Sequence, residues 1–166
     1  MEFKKVVVMG GGVLGSQIAL MSAYTGHDTT IWMRSEGSIE RTKPKLARYS
    51  AMMIQSLEQA RKMLGNPMGA FVYPKGLITD WAAMNEEKIG ELIDQVKDAT
   101  ENNLHLELDM AKALADADIV IESMSEDPQA KIDLYEKMKG HMDEKTILCT
   151  NSSTLLPSTF AEHTGR

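Results

Sequence analysis

The residues best suited to binding a cofactor form a glycine-rich turn near the amino terminus. Gly10, Gly12 and Gly15 fit the pattern G-x-G-x-x-G, in a segment where a predicted strand leads into a predicted helix. Gly10 allows a tight turn, Gly12 lets a pyrophosphate approach the backbone, and Gly15 allows close packing of helix and strand. The free N–H groups of the first helical turn, at Val13 and Leu14, would bind the anion. The turn therefore predicts a dinucleotide site rather than a glycine-rich turn without a ligand.

The residues after the second predicted strand indicate which dinucleotide the turn would hold. A carboxylate at this place usually binds the adenosine ribose hydroxyls and favours NAD. By its spacing from the glycine turn this position is Met33, and Arg34 and Ser35 follow it. A guanidinium with a hydroxyl suits a 2′-phosphate, since its paired N–H donors match phosphate oxygens. The sequence therefore favours NADP over NAD, unless Arg34 is a solvated charge and Glu36 reaches the ribose.

The pattern of apolar residues predicts the elements that must position this turn. Apolar runs typical of buried parallel strands alternate with segments of helical periodicity. This alternation indicates a Rossmann-type, doubly wound α/β fold, with a mainly parallel sheet and helices on both faces. We expect one dinucleotide-binding domain over 1–166, with a long helical excursion at about 38–100 and irregular chain over 66–83. The predicted strands are 4–9, 29–33, 104–108, 118–122 and 146–150, and the predicted helices are 16–24, 38–64, 86–99, 110–114, 128–139 and 156–163.

The composition disfavours several other classes of function. The 166 residues include 18 basic and 24 acidic ones, a net charge of −6, which disfavours general binding to nucleic acid or to anionic membranes. No apolar run approaches the ~18–20 residues of a membrane span. The single cysteine, Cys149, cannot form an internal disulfide, so we expect a buried thiol and a cytoplasmic location. Neither H-x-x-x-H nor C-x-x-C spacing occurs, and no metal site is predicted.

Three separated segments resemble the N-terminal cofactor domain of the 3-hydroxyacyl-CoA dehydrogenase family. They are the strand, turn, helix and strand over 5–33, the run D-A-D-I-V-I-E over 116–122, and the turn T-N-S-S-T-L over 150–155. The last segment is similar to the family's S-N-T-S-S-L. The resemblance implies an enzyme of fatty acid metabolism that moves hydride between NAD or NADP and the 3-hydroxy or 3-keto group of its substrate. That substrate would be a 3-hydroxyacyl-CoA or a related 3-hydroxy acid, and the full-length enzyme would be a homodimer.

The same resemblance assigns roles to residues near the ends of the later strands. Glu122 and Glu126 match glutamates that follow the fourth strand, and Lys131 matches a lysine near the nicotinamide ribose. Asn151 and Ser153 match the last signature, whose serine lies near the substrate hydroxyl and the nicotinamide. We therefore expect Asn151 and Ser153 to orient the substrate, and the three charged residues and Asn151 to bind the cofactor. From the residues alone, Glu122 could instead shape the pocket without moving a proton, and Lys131 could be a solvated lysine.

Two features depart from the family pattern. Met33 replaces the ribose-binding aspartate, and the family's catalytic histidine and partner glutamate are expected beyond Arg166, in a C-terminal helical domain that also forms dimers. We therefore expect the 166 residues alone to be nearly inactive. In the helical excursion, Ser56, Arg61 and Lys62 are the nearest candidates for contacts with acyl-CoA. The histidines within the chain are interpreted as surface or capping residues: His27, His105, His141 and His163.

Two other functions compete with a dehydrogenase. A non-catalytic dinucleotide-binding or sensing module would need no base and would bind nucleotide without turnover. A methyltransferase also has a glycine turn after its first strand, but the three-glycine spacing and the turn over 150–155 fit a dehydrogenase better. Part of this preference rests on fold analogy. We therefore predict the cofactor domain of an oxidoreductase, with the sensing module as the alternative.

Overall fold

Five strands form one parallel sheet in a computed structural model that describes residues 3–165. The strands are β1 (Lys5–Met9), β2 (Asp28–Trp32), β3 (Leu104–Glu107), β4 (Ile119–Glu122) and β5 (Ile147–Thr150). Their order across the sheet is β3-β2-β1-β4-β5, and each neighbouring pair is parallel. The predicted Rossmann-type fold is thus confirmed, with a sheet that is wholly parallel. The outermost positions of the predicted 1–166 domain, Met1, Glu2 and Arg166, lie outside the described residues.

Helices cover both faces of the sheet, as the doubly wound fold requires. They are α1 (Val13–Tyr24), α2 (Glu36–Arg61), α3 (Gly69–Val72), α4 (Glu86–Asp98), α5 (Met110–Leu114), α6 (Pro128–Met138) and α7 (Ala161–Thr164). Alternate residues of β1 face opposite cores: Val8 packs with α1, α2 and α4, whereas Val7 packs with α5, α6 and Phe160. No helix within residues 3–165 is both long enough and apolar enough to cross a membrane.

The carboxyl ends of the central strands lie side by side. Met9 of β1 is in register with Trp32 of β2 and with Glu122 of β4. Glu122 is in turn opposite Thr150 of β5. The glycine turn, the chain leading into α2, the β4–α6 loop and the turn after β5 therefore all leave the sheet at one edge. This is the edge at which open parallel sheets bind ligands.

Helix α2 begins two residues earlier than predicted because Ser35 caps it. The Ser35 hydroxyl accepts the N–H of Ser38 at 3.3 Å and so satisfies one free amide of the first turn. The connection from α2 to α4, predicted to be irregular, contains α3 and a 3-10 turn over Trp81–Ala83. Tyr73 stacks on Trp81 there, with ring centroids 5.4 Å apart. The excursion is therefore packed, not merely a surface loop.

The expected burial of Cys149 is wrong. Among residues 3–165, β5 pairs with β4 alone and so forms an edge of the sheet. Leu148 packs into the core beneath α6, whereas Ile147 and Cys149 point the other way and are exposed. The apolar run of β5 predicts a strand but does not indicate that it lies at the edge.

Candidate functional site

The glycine turn between β1 and α1 has the geometry that its spacing predicts. Gly10 has a φ of +117°, and a Cβ there would lie 2.9 Å from the carbonyl oxygen of Ser123. A Cβ on Gly15 would collide with the carbonyl of Gly10. By contrast, a Cβ on Gly12 would meet nothing within 4 Å. Gly10 and Gly15 are therefore required by the turn itself, whereas the space over Gly12 is open for a ligand.

Three side chains hold the middle peptide of this turn. The carbonyl of Gly11 accepts hydrogen bonds from the hydroxyls of Ser16 and Thr42, at 3.2 and 3.0 Å, and from Lys45 Nζ at 3.0 Å. Because a trans peptide is planar, fixing this carbonyl also directs the N–H of Gly12 away from α2. Helix α2, which carries Thr42 and Lys45, therefore helps to orient the turn.

A pocket of about 260 Å³ lies between the glycine turn, the end of β2, the first turns of α2 and the loop after β4. Gly10, Gly12 and the N-terminal part of α2 line it, as does Arg34. All three charged side chains that line it, Arg34, Arg41 and Lys45, are cations. The pocket thus combines a phosphate-binding turn with positive charge.

Met33 occupies the position after β2 at which a carboxylate usually binds the adenosine ribose. It is 3% exposed, and its sulfur would lie 2.8 Å from a Cβ on Gly11. Arg34 lines the pocket and is exposed, so both its contact with a 2′-phosphate and its alternative role as a solvated charge stay predictions. Glu36, exposed at the start of α2, is not among the lining residues. Ser35 is not among them either; its hydroxyl caps α2.

Sequence reasoning missed the contribution of α2 to this pocket. Ser38, Arg41, Thr42 and Lys45 line it, at spacings of three, four and seven residues that place them on one face of a helix. Both the periodicity and the polar character of that face were visible in the sequence. The short loop Ser123–Ser125, directly after the fourth strand, lines the opposite wall and was also missed.

A buried carboxylate stands at the end of β4. Glu122 is 0% exposed, and its two oxygens accept five hydrogen bonds. Lys131 Nζ donates two, at 2.7 and 2.8 Å. The others come from the backbone N–H of Met124 at 2.6 Å, the Thr150 hydroxyl at 2.7 Å and the Tyr135 hydroxyl at 3.3 Å. Glu122 therefore ties β4, α6 and β5 together, while its predicted cofactor contact and its pocket-shaping alternative both stay predictions.

Lys131 is the buried partner of Glu122. It is only 1% exposed, so its interpretation as a solvated lysine is wrong: the ion pair compensates its burial. Contact with a nicotinamide ribose stays a prediction. Burial, and then the negative charge of Glu122, raise the pKa of Tyr135 beside this pair to about 12.

Glu126 binds the turn that follows β5. Its carboxylate accepts the hydroxyls of Ser152 at 2.6 Å and Thr154 at 3.0 Å, and the backbone N–H of Ser153 at 3.4 Å. These hydrogen bonds, that of Ser152 foremost, lower the pKa of Glu126. Glu126 therefore stays ionised and orders the 152–154 segment, while its predicted cofactor contact stays a prediction.

The predicted substrate-orienting residues are accessible at the same edge. Asn151 and Ser153 are exposed, and the backbone N–H of Asn151 donates to the carbonyl of Glu122 at 2.8 Å. Val13 and Leu14, in the first turn of α1, are 58% and 56% exposed. The structure thus places the predicted residues in three groups: the basic pocket, the buried Glu122 cluster, and the exposed turn held by Glu126.

The histidines lie away from Asn151 and Ser153. His27 follows α1, where its ring contacts the carbonyl of Ser22, and His141 is exposed before β5. Both therefore lie toward the amino ends of the strands, whereas Asn151 and Ser153 follow the carboxyl end of β5. The other two histidines contact surface carboxylates: His105 of β3 contacts Asp28 at 3.3 Å, and His163 contacts Glu136 at 2.9 Å.

The three residues of the helical excursion that were candidates for contact with acyl-CoA have different surroundings in the structure. Arg61 contacts Glu58 at 3.1 Å and Glu86 at 3.3 Å, so it connects α2 to α4. Ser56 and Lys62 line one groove between the end of α2 and the segment after α3. Their contact with an acyl-CoA stays a prediction.

Comparisons with known proteins agree with the resemblance. A sequence profile described as 3-hydroxyacyl-CoA dehydrogenase, NAD binding domain, matches residues 5–166. The chain is 26% identical over 165 residues to the mitochondrial hydroxyacyl-coenzyme A dehydrogenase of Rattus norvegicus, covering 98% of this chain and 43% of that protein. It is 26% identical over 162 residues to 3-hydroxybutyryl-CoA dehydrogenase of Clostridioides difficile, covering 98% and 46%. The chain therefore spans less than half the length of these curated relatives.

Solved structures share the same fold. A diketoreductase described as acting on dicarbonyl compounds has a TM-score of 0.66 and 29% identity, over 100% of this chain and 47% of its own. The (S)-3-hydroxybutyryl-CoA dehydrogenase PaaH1 from Ralstonia eutropha also has a TM-score of 0.66, with 17% identity over 99% of this chain and 46% of its own. At 17% identity the second likeness concerns the fold alone.

Proposed function

This chain belongs to the 3-hydroxyacyl-CoA dehydrogenase family, and on that premise we propose that it is the cofactor-binding part of an oxidoreductase. The whole enzyme would transfer hydride between NAD(P) and the 3-hydroxy or 3-keto group of a 3-hydroxyacyl-CoA or a related 3-hydroxy acid. The observation that carries the proposal is that the open glycine turn and the turn over 150–155 leave the sheet at the same edge, two strands apart. A homodimeric full-length enzyme is part of the proposal.

The glycine turn fits a dinucleotide pyrophosphate. The space above Gly12 is open, and the fixed carbonyl of Gly11 leaves the next N–H directed away from α2. The start of α1 adds free N–H groups and the positive end of the helix dipole. When bound, the nicotinamide supplies the hydride chemistry.

The residues after β4 and β5 would orient the reacting groups. Asn151 and Ser153 would bind the substrate oxygen, since both are exposed and Ser153 carries a hydroxyl donor. Glu126 would act indirectly by fixing the backbone of this turn. Glu122 would keep the end of β4 next to Thr150 of β5. These roles concern positioning, and the proton-accepting base is not among them.

NADP is the cofactor that we favour over NAD. Arg34 lines the pocket at the end of β2, and the buried thioether of Met33 stands where a carboxylate would repel a 2′-phosphate. Ser35 is not among the residues that line the pocket, so it adds less to the preference than Arg34. The cationic side chain therefore carries it.

We expect the 166-residue chain to bind cofactor without measurable turnover. A 3-hydroxy group needs a base to take its proton during oxidation, and the four histidines lie away from Asn151 and Ser153. In the full-length enzyme a histidine of the C-terminal domain would take this role. The alternative, a sensing module, predicts that the full-length protein also lacks turnover.

A glycine substitution with a matched control tests the cofactor site. Gly12→Ala should lower NADH and NADPH affinity about tenfold or more, because its methyl group fills the space a pyrophosphate needs. Gly76→Ala also puts a methyl group into empty space and should leave both affinities unchanged. Cofactor fluorescence titration measures both. Absence of binding to either dinucleotide by the wild-type chain, or equal effects of the two substitutions, would contradict the proposal.

Turnover assays distinguish the possible activities. The chain and the full-length protein should each be incubated with acetoacetyl-CoA and reduced cofactor, following absorbance at the nicotinamide band. Turnover by the full-length protein alone supports the dehydrogenase. Turnover by the 166-residue chain would refute its expected inactivity, and none by either protein would favour the sensing module. Binding of S-adenosylmethionine in place of dinucleotide would favour a methyltransferase.

A further inference from the structure

We infer that Ser38, Arg41 and Lys45 of α2 join Arg34 to form a subsite for the 2′-phosphate of NADP. This inference rests on the proposed dinucleotide function and deepens it, because it locates the selection of cofactor on a helix face rather than on the Arg34-Ser35 pair. The four side chains line one pocket beside the glycine turn.

The charge in this pocket is uncompensated. Within residues 3–165, no ion pair joins Arg34, Arg41 or Lys45 to a carboxylate. The chain as a whole has a net charge of −6, so three neighbouring cations without carboxylate partners form a positive region in an acidic protein. An anion with two negative charges, such as a phosphate monoester, would compensate them.

Nearby carboxylates are directed elsewhere. Glu40 contacts Lys43 at 3.2 Å on the outer side of α2. Glu107, at the end of the neighbouring β3, accepts the backbone N–H groups of Leu108 and Asp109, both at 2.8 Å. Neither glutamate lines the pocket. The residues that line the pocket therefore include no carboxylate that could bind the ribose of NAD or repel a phosphate, although contact of the exposed Glu36 with the ribose stays the alternative.

The side chain of Arg41 is held by neutral hydroxyl groups. Its Nη2 donates to Ser38 Oγ at 3.1 Å, and that hydroxyl lies 3.0 Å from Ser35 Oγ. The bond orients the guanidinium without neutralising it. A guanidinium held in this way retains further N–H donors that can bind two phosphate oxygens together.

The location of the subsite agrees with the position of an adenosine ribose. With the pyrophosphate on the glycine turn, the ribose of a Rossmann-bound dinucleotide lies at the end of β2. Trp32, Met33 and Arg34 form that end of the pocket, and the first turns of α2 stand opposite. A phosphate on the 2′-oxygen would thus lie between Arg34 and Arg41.

Lys45 has a second role that separates it from Arg41. Its Nζ donates to the carbonyl of Gly11 at 3.0 Å, so substitution would disturb the turn that binds every dinucleotide. Arg41 makes no such contact with the turn. Arg41 is therefore the residue whose substitution tests the subsite without altering the pyrophosphate site.

The test compares phosphorylated with unphosphorylated nucleotides by calorimetric titration of the 166-residue chain. The wild type should bind NADPH about tenfold or more tighter than NADH, and 2′,5′-ADP tighter than 5′-AMP by a similar factor. Arg41→Ala should weaken NADPH and 2′,5′-ADP roughly tenfold and leave NADH and 5′-AMP within about twofold. Arg48→Ala is the matched control, since Arg48 is exposed on the same helix but does not line the pocket.

The outcomes separate the subsite from the proposed function. If NADH and NADPH bind equally, or if Arg41→Ala weakens both alike, the subsite is refuted while dinucleotide binding stands. If an effect of Arg41→Ala is matched by Arg48→Ala, the preference reflects overall charge and the subsite is likewise refuted. If neither dinucleotide binds, the proposed function itself fails and the subsite with it.

Discussion

Replacing Lys131 by methionine should destabilise the fold far more than the same replacement of a surface lysine, although each removes one charge. Glu122 and Lys131 are 0% and 1% exposed, and Lys131 supplies two of the five hydrogen bonds to the carboxylate. Methionine replaces the apolar stem of lysine as far as its Cε and lacks only the terminal ammonium group, so it leaves a buried carboxylate with neutral donors only. The change therefore isolates the charge from the packing.

The expected loss is about 3–5 kcal/mol in the free energy of unfolding, the usual cost of breaking a buried ion pair by removing one partner. A domain of this size is stable by only about 5–15 kcal/mol, so roughly a fifth of the stability or more would be lost. The double variant Glu122→Gln/Lys131→Met should recover part of that loss, because it leaves no unpaired charge in the core. The two single losses should therefore sum to more than the loss in the double variant.

Urea unfolding followed by far-ultraviolet circular dichroism measures these differences. At a slope of about 2 kcal/mol per molar urea, the Lys131→Met midpoint should fall by about 1.5–2.5 M. Lys97→Met is the matched control, because Lys97 contacts Asp94 at 2.7 Å with side chains 54% and 76% exposed. It should cost below about 1 kcal/mol. A Lys131→Met loss no larger than that of the control would refute the reasoning about an uncompensated buried charge.

Two further predictions concern other parts of the sheet. Hydrogen bonds from the backbone N–H groups of Lys5 and Lys4 lower the pKa of Asp118 from 3.8 to about 2. The ionised carboxylate therefore stabilises the fold above a pH of about 4, and this stabilisation is lost as the pH falls toward 2. Thermal unfolding of Asp118→Asn and wild type should thus differ most near neutral pH and converge at low pH; a constant difference would contradict this assignment. Cys149 is exposed on β5. Its rate of reaction with a thiol reagent in the native protein should be within about tenfold of the rate in the urea-unfolded chain. Strong protection in the native protein would place the thiol in the interior, and Cys149→Ser controls for reaction elsewhere.

The order of elements and the glycine turn could be predicted because their signals are local. Gly10 is required by its positive φ and Gly15 by its closeness to the carbonyl of Gly10, so both requirements arise within the turn and the spacing carries the geometry. The position of Cys149 could not be predicted in the same way, since an apolar strand has the same pattern at an edge and at the centre of a sheet. Lys131 was uncertain for a related reason: its burial depends on a carboxylate nine residues earlier that only the folded β4–α6 connection brings to it.

The charged residues of the site divide according to how their charge is compensated. Glu122 and Glu126 are bound by donors of the protein itself, so a ligand would gain little by contacting them and their effect passes through the segments they hold. Arg34 and Arg41 have no ion pair with a carboxylate among residues 3–165 and line a pocket, so their charges are available to a ligand phosphate. Sequence motifs alone give Glu122, Glu126 and Arg34 the same standing as cofactor-site charges and do not single out Arg41. The hydrogen bonds distinguish the pair that shapes the site from the pair that is free to bind.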